Sequence, residues 1–197
     1  MVSTLAGRAF SFANGMGTAA SFKVPFSVAI DASGNLFVAD TNNHCVRKVT
    51  PGGVVSTPAG PGGAAGFADG TGTGARFGMP FGVAVDTGGN VFVADSANQR
   101  VRKVTPGGVV TTLAGRVAGF ANGIGANASF REPHAVALDS NGNVFVADCD
   151  NHRIRNVTPG GVVGTLAGGA AGYADGTGTG AKFNCPRGMA VASGGNV

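Results

Sequence analysis

The sequence predicts an all-β fold made of a repeated unit of four short antiparallel strands, and three observations carry that prediction. The same text occurs three times, at residues 35–58, 90–113 and 143–166. The period is nearly constant: Phe37, Phe92 and Phe145 step by 55 and 53, and Pro25, Pro80, Pro133 and Pro186 by 55, 53 and 53. The 36 glycines fall at repeated turn positions, and no window sustains helical periodicity. A fixed period of this length signals a solenoid, a propeller or an array. One two-residue insertion near Pro61-Gly62 accounts for every step of 55.

The second copy shows the elements in order. Residues 80–86 form a strand opened by proline, as a strand start allows; we term it strand a. It ends in Asp86-Thr87-Gly88-Gly89-Asn90, a hairpin turn that needs a residue at positive φ. Its equivalents are 31–35 and 139–143. Strand b follows at 91–94, apolar enough to be buried on both faces. After the turn at 95–98 comes strand c, 100–104, whose broken alternation predicts a bulge. Thr105-Pro106-Gly107-Gly108 is a third turn, and strand d runs 109–113. Four such strands per repeat, stacked repeat on repeat, point to a propeller.

The rest of each repeat is a long connection from strand d to the next strand a. It carries two regular aromatics, Phe12, Phe67, Phe120 and Tyr173, then Phe22, Phe77, Phe130 and Phe183. Two rings per loop predict a lid packed by its own side chains, with a variable tip.

The texts at 25–49, 80–104 and 133–157 resemble the NHL repeat, with P-x-G-V-A-V-D, G-N-V-F-V-A-D and N-x-R-V-R-K-V in register; Cys45 stands where the first copy would carry a basic residue. The resemblance implies an NHL-type β-propeller of about 3.5 repeats, an incomplete ring or arc, with strand a lining a central channel. The chain then reads as one propeller region over 1–197: a strand d at 1–7, repeats at about 23–60, 78–115 and 131–168, and a partial repeat at 184–197. The long period resembles bacterial and extracellular multidomain proteins, which suggests an extracellular or cell-surface parent and leaves the compartment open. A homodimer closing one ring would supply the missing blades.

Candidate residues follow from the register. Phe26, Phe81, His134 and Arg187 share one position at the start of strand a, the candidate channel mouth, which changes from Phe in two copies to His and Arg in the others. Asp40, Asp95 and Asp148, with Asn43, Asn98 and Asn151 and with Arg100 and Arg153, are expected to form a structural polar cluster fixing the b–c turn. Arg47-Lys48, Arg102-Lys103 and Arg155 read as a solvated stripe on outer strands. No catalytic residue, metal ligand set or cofactor motif is identified. His134 with Glu132 is too few ligands for a metal, and the loop at 69–74 holds one carboxylate where calcium loops need several.

Composition narrows the function classes. The formal charge is only +4, and basic pairs lack neighbouring aromatics on which bases would stack, so nucleic acid is not expected. No apolar run reaches membrane-spanning length, and no signal peptide is visible at the start. Cys45, Cys149 and Cys185 occupy three different repeat positions, which reads as three free thiols. The expectation is a non-enzymatic interaction or scaffolding propeller that binds a protein or carbohydrate partner through strand-a starts and d-to-a loops. The alternatives that the resemblance offers are a metal-dependent lyase- or lactonase-like enzyme and an RNA-binding propeller.

Overall fold

A computed structural model describes residues 2–192 and 197. It is all-β apart from short 3-10 turns. The first sheet holds β1 (Gly15–Met16), β2 (Pro25–Ile30), β3 (Leu36–Asp40), β4 (Cys45–Val49) and β5 (Val54–Ala59). The second holds β6 (Gly70–Thr71), β7 (Pro80–Val85), β8 (Val91–Asp95), β9 (Arg100–Val104) and β10 (Val109–Ala114). The third holds β11 (Gly123–Ile124), β12 (Pro133–Leu138), β13 (Val144–Asp148), β14 (Arg153–Val157) and β15 (Val162–Gly168). Each is ordered first, fifth, fourth, third, second, and the pairings are antiparallel.

The four expected strands are all present, and a fifth was missed. The d-to-a connection folds back along the outer edge of the sheet that follows it: Gly15 pairs with Val55, and Gly123 with Val163. The two-residue strand occupies edge groups of strand d that would otherwise face water or another chain. The lid therefore belongs to the blade after it. Residues 2–7 and 186–192, expected as lone strands d and a, enter no ladder among the described residues, because a strand needs a paired neighbour. Positions 193–196 of the partial repeat lie outside the described residues.

The turns form for the reasons the sequence indicates. Asp31 Oδ1 accepts the Asn35 N–H at 2.8 Å, its Oδ2 accepts Asn35 Nδ2 at 2.8 Å, and Gly34 takes φ +79°. The expected bulge lies between strands c and d, with the extra residue on d: Ile154 pairs with Ala167 and Arg155 with Thr165.

Two compact units emerge, residues 1–93 with 103–111, and 94–102 with 112–197. The first is centred on Phe37, Ala39, Val46, Ala59, Phe77, Val83, Val91, Val93 and Val104. Here one sheet's strands b to d pack on the next sheet's strands a to c. The second unit buries Phe130, Val144, Val146, Ala147, Val157 and Val163. In both, the last glycine of the Pro-Gly-Gly turn backs onto the preceding strand d. A Cβ on Gly108 would lie 2.8 Å from the Pro58 carbonyl oxygen, and one on Gly161 2.8 Å from that of Leu113.

Candidate functional site

The frame beneath the site is a buried ion pair in each repeat. Asp40 ends strand b, and its Oδ2 accepts Arg47 Nη1 at 2.7 Å; Asp95 with Arg102 and Asp148 with Arg155 repeat the distance, all with fully buried side chains. Asn43 and Asn151 donate to the same carboxylates at 2.9 and 2.8 Å, and the backbone N–H groups of Lys23 and Arg131 donate to the other oxygen at 2.7 Å. Burial pushes the Asp148 carboxyl up, against the hydrogen bonds and the charge of Arg155.

In the second repeat Asn98 likewise donates to Asp95 at 2.9 Å. The arginine assignment is corrected. Arg100 and Arg153 donate to the Asn98 and Asn151 carbonyls. The carboxylate partner is the arginine two residues further along strand c. Arg47, Arg102 and Arg155 therefore form no solvated stripe: they are among the largest fully buried side chains.

The lid surrounds this arginine. Arg47 lies 4.7 Å from the Phe12 ring and 4.9 Å from Phe22, and its Nη2 donates to the Ala13 carbonyl and to Asn14 Oδ1. Arg155 repeats this with Phe120, Phe130, Ala121 and Asn122. Cation–ring attraction in a desolvated site is worth about 2 kcal/mol. Asn14 and Asn122 hold the position of Asp69 in the glycine-rich loop; in these two repeats it receives the guanidinium.

A second seam joins consecutive repeats. His44, Gln99 and His152 close the b–c turns in left-handed conformation, and Val24, Met79, Glu132 and Cys185, just before strand a, are also left-handed. The Met79 N–H donates to His44 Nδ1 at 3.1 Å, Glu132 to Gln99 Oε1 at 2.7 Å, and Cys185 to His152 Nδ1 at 3.2 Å. Burial first, then Lys23, lowers the His44 pKa.

Upon this frame sit the variable residues. In the first and third sheets strand a carries a bulge: Pro25 pairs with Asp40 and Ser27 with Ala39, and Pro133 with Asp148 and Ala135 with Ala147. The extra residues are Phe26 and His134. Bulges re-aim a side chain and are common next to functional sites. In the first unit Phe26, half exposed, lies against Phe81 with ring centroids 4.7 Å apart. In the second unit His134 is buried, with Nε2 3.9 Å from Glu132 Oε2. Burial lowers its pKa, the Arg187 charge adds to that, and Glu132 and Asp150 oppose it. Arg187 is exposed and donates from Nε to Cys185 Sγ at 3.3 Å.

The cysteine expectation is overturned in part. Cys149 and Cys185 are joined in a disulfide, and Cys45 is free and buried. Register hid the pair: Cys149 lies in a b–c turn and Cys185 at the next strand-a start, positions that touch only once repeats stack. Among the described residues, the one His/Cys/acid group compact enough for a metal is Cys149, Asp150 and Cys185, and its two sulfurs are bonded to each other.

Sheets of this order, each capped by its own lid, are β-propeller blades. The family model described as NHL repeat matches residues 22–49, 77–104 and 130–155, and the chain carries three NHL repeats. It is 35% identical over 152 residues to NHL repeat-containing protein 2 of Bos taurus, covering 69% of this chain and 21% of that protein. It is 38% identical over 95 residues to the chloroplastic protein SUPPRESSOR OF QUENCHING 1 of Arabidopsis thaliana, covering 46% and 9%. The chain thus spans less than a quarter of the length of these curated relatives. Among solved structures, an auxiliary nutrient binding protein from Bacteroides thetaiotaomicron superposes with TM-score 0.66 at 18% identity, over 86% of this chain and 43% of that one. A catalytically inactive virginiamycin B lyase from Staphylococcus aureus reaches 0.52 at 12%, over 73% and 43%. Both likenesses concern the fold. Among the described residues, no helix is long and apolar enough to cross a membrane.

Proposed function

We propose that the chain is a non-enzymatic recognition module that meets a protein or carbohydrate partner through its strand-a starts and lid tips. One observation carries this reading: the strand-a position changes from phenylalanine in the first two repeats, Phe26 and Phe81, to His134 and then Arg187, while the Asp–Asn–Arg frame of the three repeats does not vary. A propeller distinguishes partners by varying such positions on a fixed scaffold. The lids add exposed rings, with Tyr173 95% exposed beside an open groove of about 760 Å³ that reaches Phe183. The nutrient-binding neighbour shares this fold and supports a binding role. The test is a glycan and peptide array, followed by titration of the F26A/F81A and H134A/R187A variants. Each pair should weaken binding at least tenfold at unchanged melting temperature. Unchanged affinity in both would reject the reading.

A metal-dependent enzyme is the second reading, favoured by buried His134 beside Glu132 and by the lyase neighbour. Elemental analysis of the purified chain separates the two: stoichiometric metal lost in H134A would favour the enzyme. RNA binding is the less favoured reading, because Arg47, Arg102 and Arg155, three of the five repeated basic residues it would use, are buried in ion pairs.

A further inference from the structure

The disulfide falls where another repeat uses a hydrogen bond. Cys149 occupies the position of Thr41 and Ser96, first residue of the b–c turn, and Cys185 that of Val24, Met79 and Glu132, the residue before strand a. In the first repeat Thr41 Oγ1 donates to the carbonyl of Pro80, the first residue of the next strand a, at 2.7 Å. Cys149 instead bonds to the residue preceding Pro186. The same seam is a hydrogen bond at one repeat and a covalent bond at another. We propose that Cys149–Cys185 is a redox-controlled lock, which fastens the arm carrying Arg187 to the third blade and is opened by a small dithiol. This does not depend on the proposed function.

Accessibility sets how the lock opens. Cys149 is 1% exposed and Cys185 is half-buried, so a reagent thiolate attacks Cys185 Sγ. The S–S bond breaks, Cys149 leaves as a thiolate and takes a proton. The second thiol of the reagent then attacks the mixed disulfide and leaves as part of a cyclic disulfide, releasing Cys185 as a thiol. Asp150 Oδ1, 3.6 Å from Cys149 Sγ, disfavours the leaving anion and slows opening. The guanidinium of Arg187 beside Cys185 Sγ favours that sulfur as the anionic leaving group of the second exchange. Once reduced, the described fastenings of Cys185 include the His152 hydrogen bond at 3.2 Å.

The test begins with peptide mapping. The chain is alkylated in denaturant without reductant and digested with trypsin; the peptide 132–153 should run linked to 183–187 and separate from it after dithiothreitol. The melting temperature of the unmodified chain should fall by about 5 °C or more on adding dithiothreitol. The C149T/C185M variant, which carries the first repeat's threonine and the second repeat's methionine, should show no response to reductant. Should that variant fail to fold, the wild-type chain with and without reductant decides alone. Alkylation of both cysteines without reductant would overturn the lock. So would a linked chain whose melting ignores dithiothreitol, or an equal response in the variant.

Discussion

Asp40 and Arg47 meet at 2.7 Å with no solvent reaching either side chain. Seven residues apart, they sit across the b–c turn, and the lid's Phe12 and Phe22 close over the guanidinium. A charge pair this deep is costly to break from one side, because the remaining charge stays buried without its partner. Arg155→Ala should therefore destabilise the chain by about 3–5 kcal/mol. The D148N/R155A pair should cost less than the sum of its single changes. Urea unfolding of the four proteins measures both, and an additive cycle would show the two residues to be uncoupled.

The seam histidine predicts a pH dependence. His44 Nδ1 accepts the Met79 N–H, which requires the neutral ring, and burial lowers its pKa below 6.5. The unfolded chain then binds the proton more readily than the folded one. This contribution to stability is present above about pH 6.5, shrinks as the pH falls below it, and levels off below the folded pKa. His44→Gln installs the residue that the second repeat uses at this place. Melting curves of His44→Gln from pH 7.5 to 5 should be flatter than those of the parent.

Cys45 is fully buried beside Asp40, and burial with that neighbouring charge pushes its thiol up to about 12, against the pull of Arg47. Native protein treated with iodoacetamide at pH 8 should leave Cys45 unmodified over hours, while urea exposes it to complete alkylation. Rapid native labelling, read by mass spectrometry, would contradict the packing described.

Two glycines separate the cost of space from the cost of backbone. Gly108 has φ +78° and its Cβ would meet the Pro58 oxygen at 2.8 Å; Gly125 has φ +55° and open space. Gly125→Ala should cost about 1–2 kcal/mol from conformation alone. Gly108→Ala should cost more, since the two strands must also move apart. Equal midpoints in denaturant would mean that the approach is looser than it looks.

The first sheet offers a test of assembly. Val28 and Ile30 are 60% and 63% exposed, whereas Val83 and Val136, the equivalents of Val28, are 5% and 7%. We expect a second copy of the chain to cover this apolar face. Sedimentation should give a dimer, and V28D/I30D a monomer of unchanged fold; a monomeric parent at high concentration would reject the pairing.

Much of the fold was legible because turn chemistry is local. Asp31, Gly34 and Asn35 carry their own hydrogen bonds, and the prolines mark the strand starts. What was hidden depends on stacking. The disulfide joins positions from two repeats, and the fifth strand has only two residues and no apolar pattern. The arginine partner was nevertheless readable. Cys45 replaces Arg100 and Arg153, whereas Arg47, Arg102 and Arg155 are present in all three copies. A carboxylate found in every copy needs a cation found in every copy.

In each blade the outermost strand comes first in the chain: β1 precedes β2 yet lies beside β5. The lid, its two rings and its arginine cage all precede strand a as well. A segment from 10 to 59 thus contains one sheet with everything that closes over its buried ion pair. A segment of similar length begun at Pro25 leaves that cage behind and takes the next blade's instead. A duplication cut at the first boundary would copy a finished piece, and one cut at the proline would copy parts of two. An engineer grafting or deleting blades should place the joints ahead of Phe10, near Gly66 and near Gly119, and not at the prolines where the sequence motif is easiest to see.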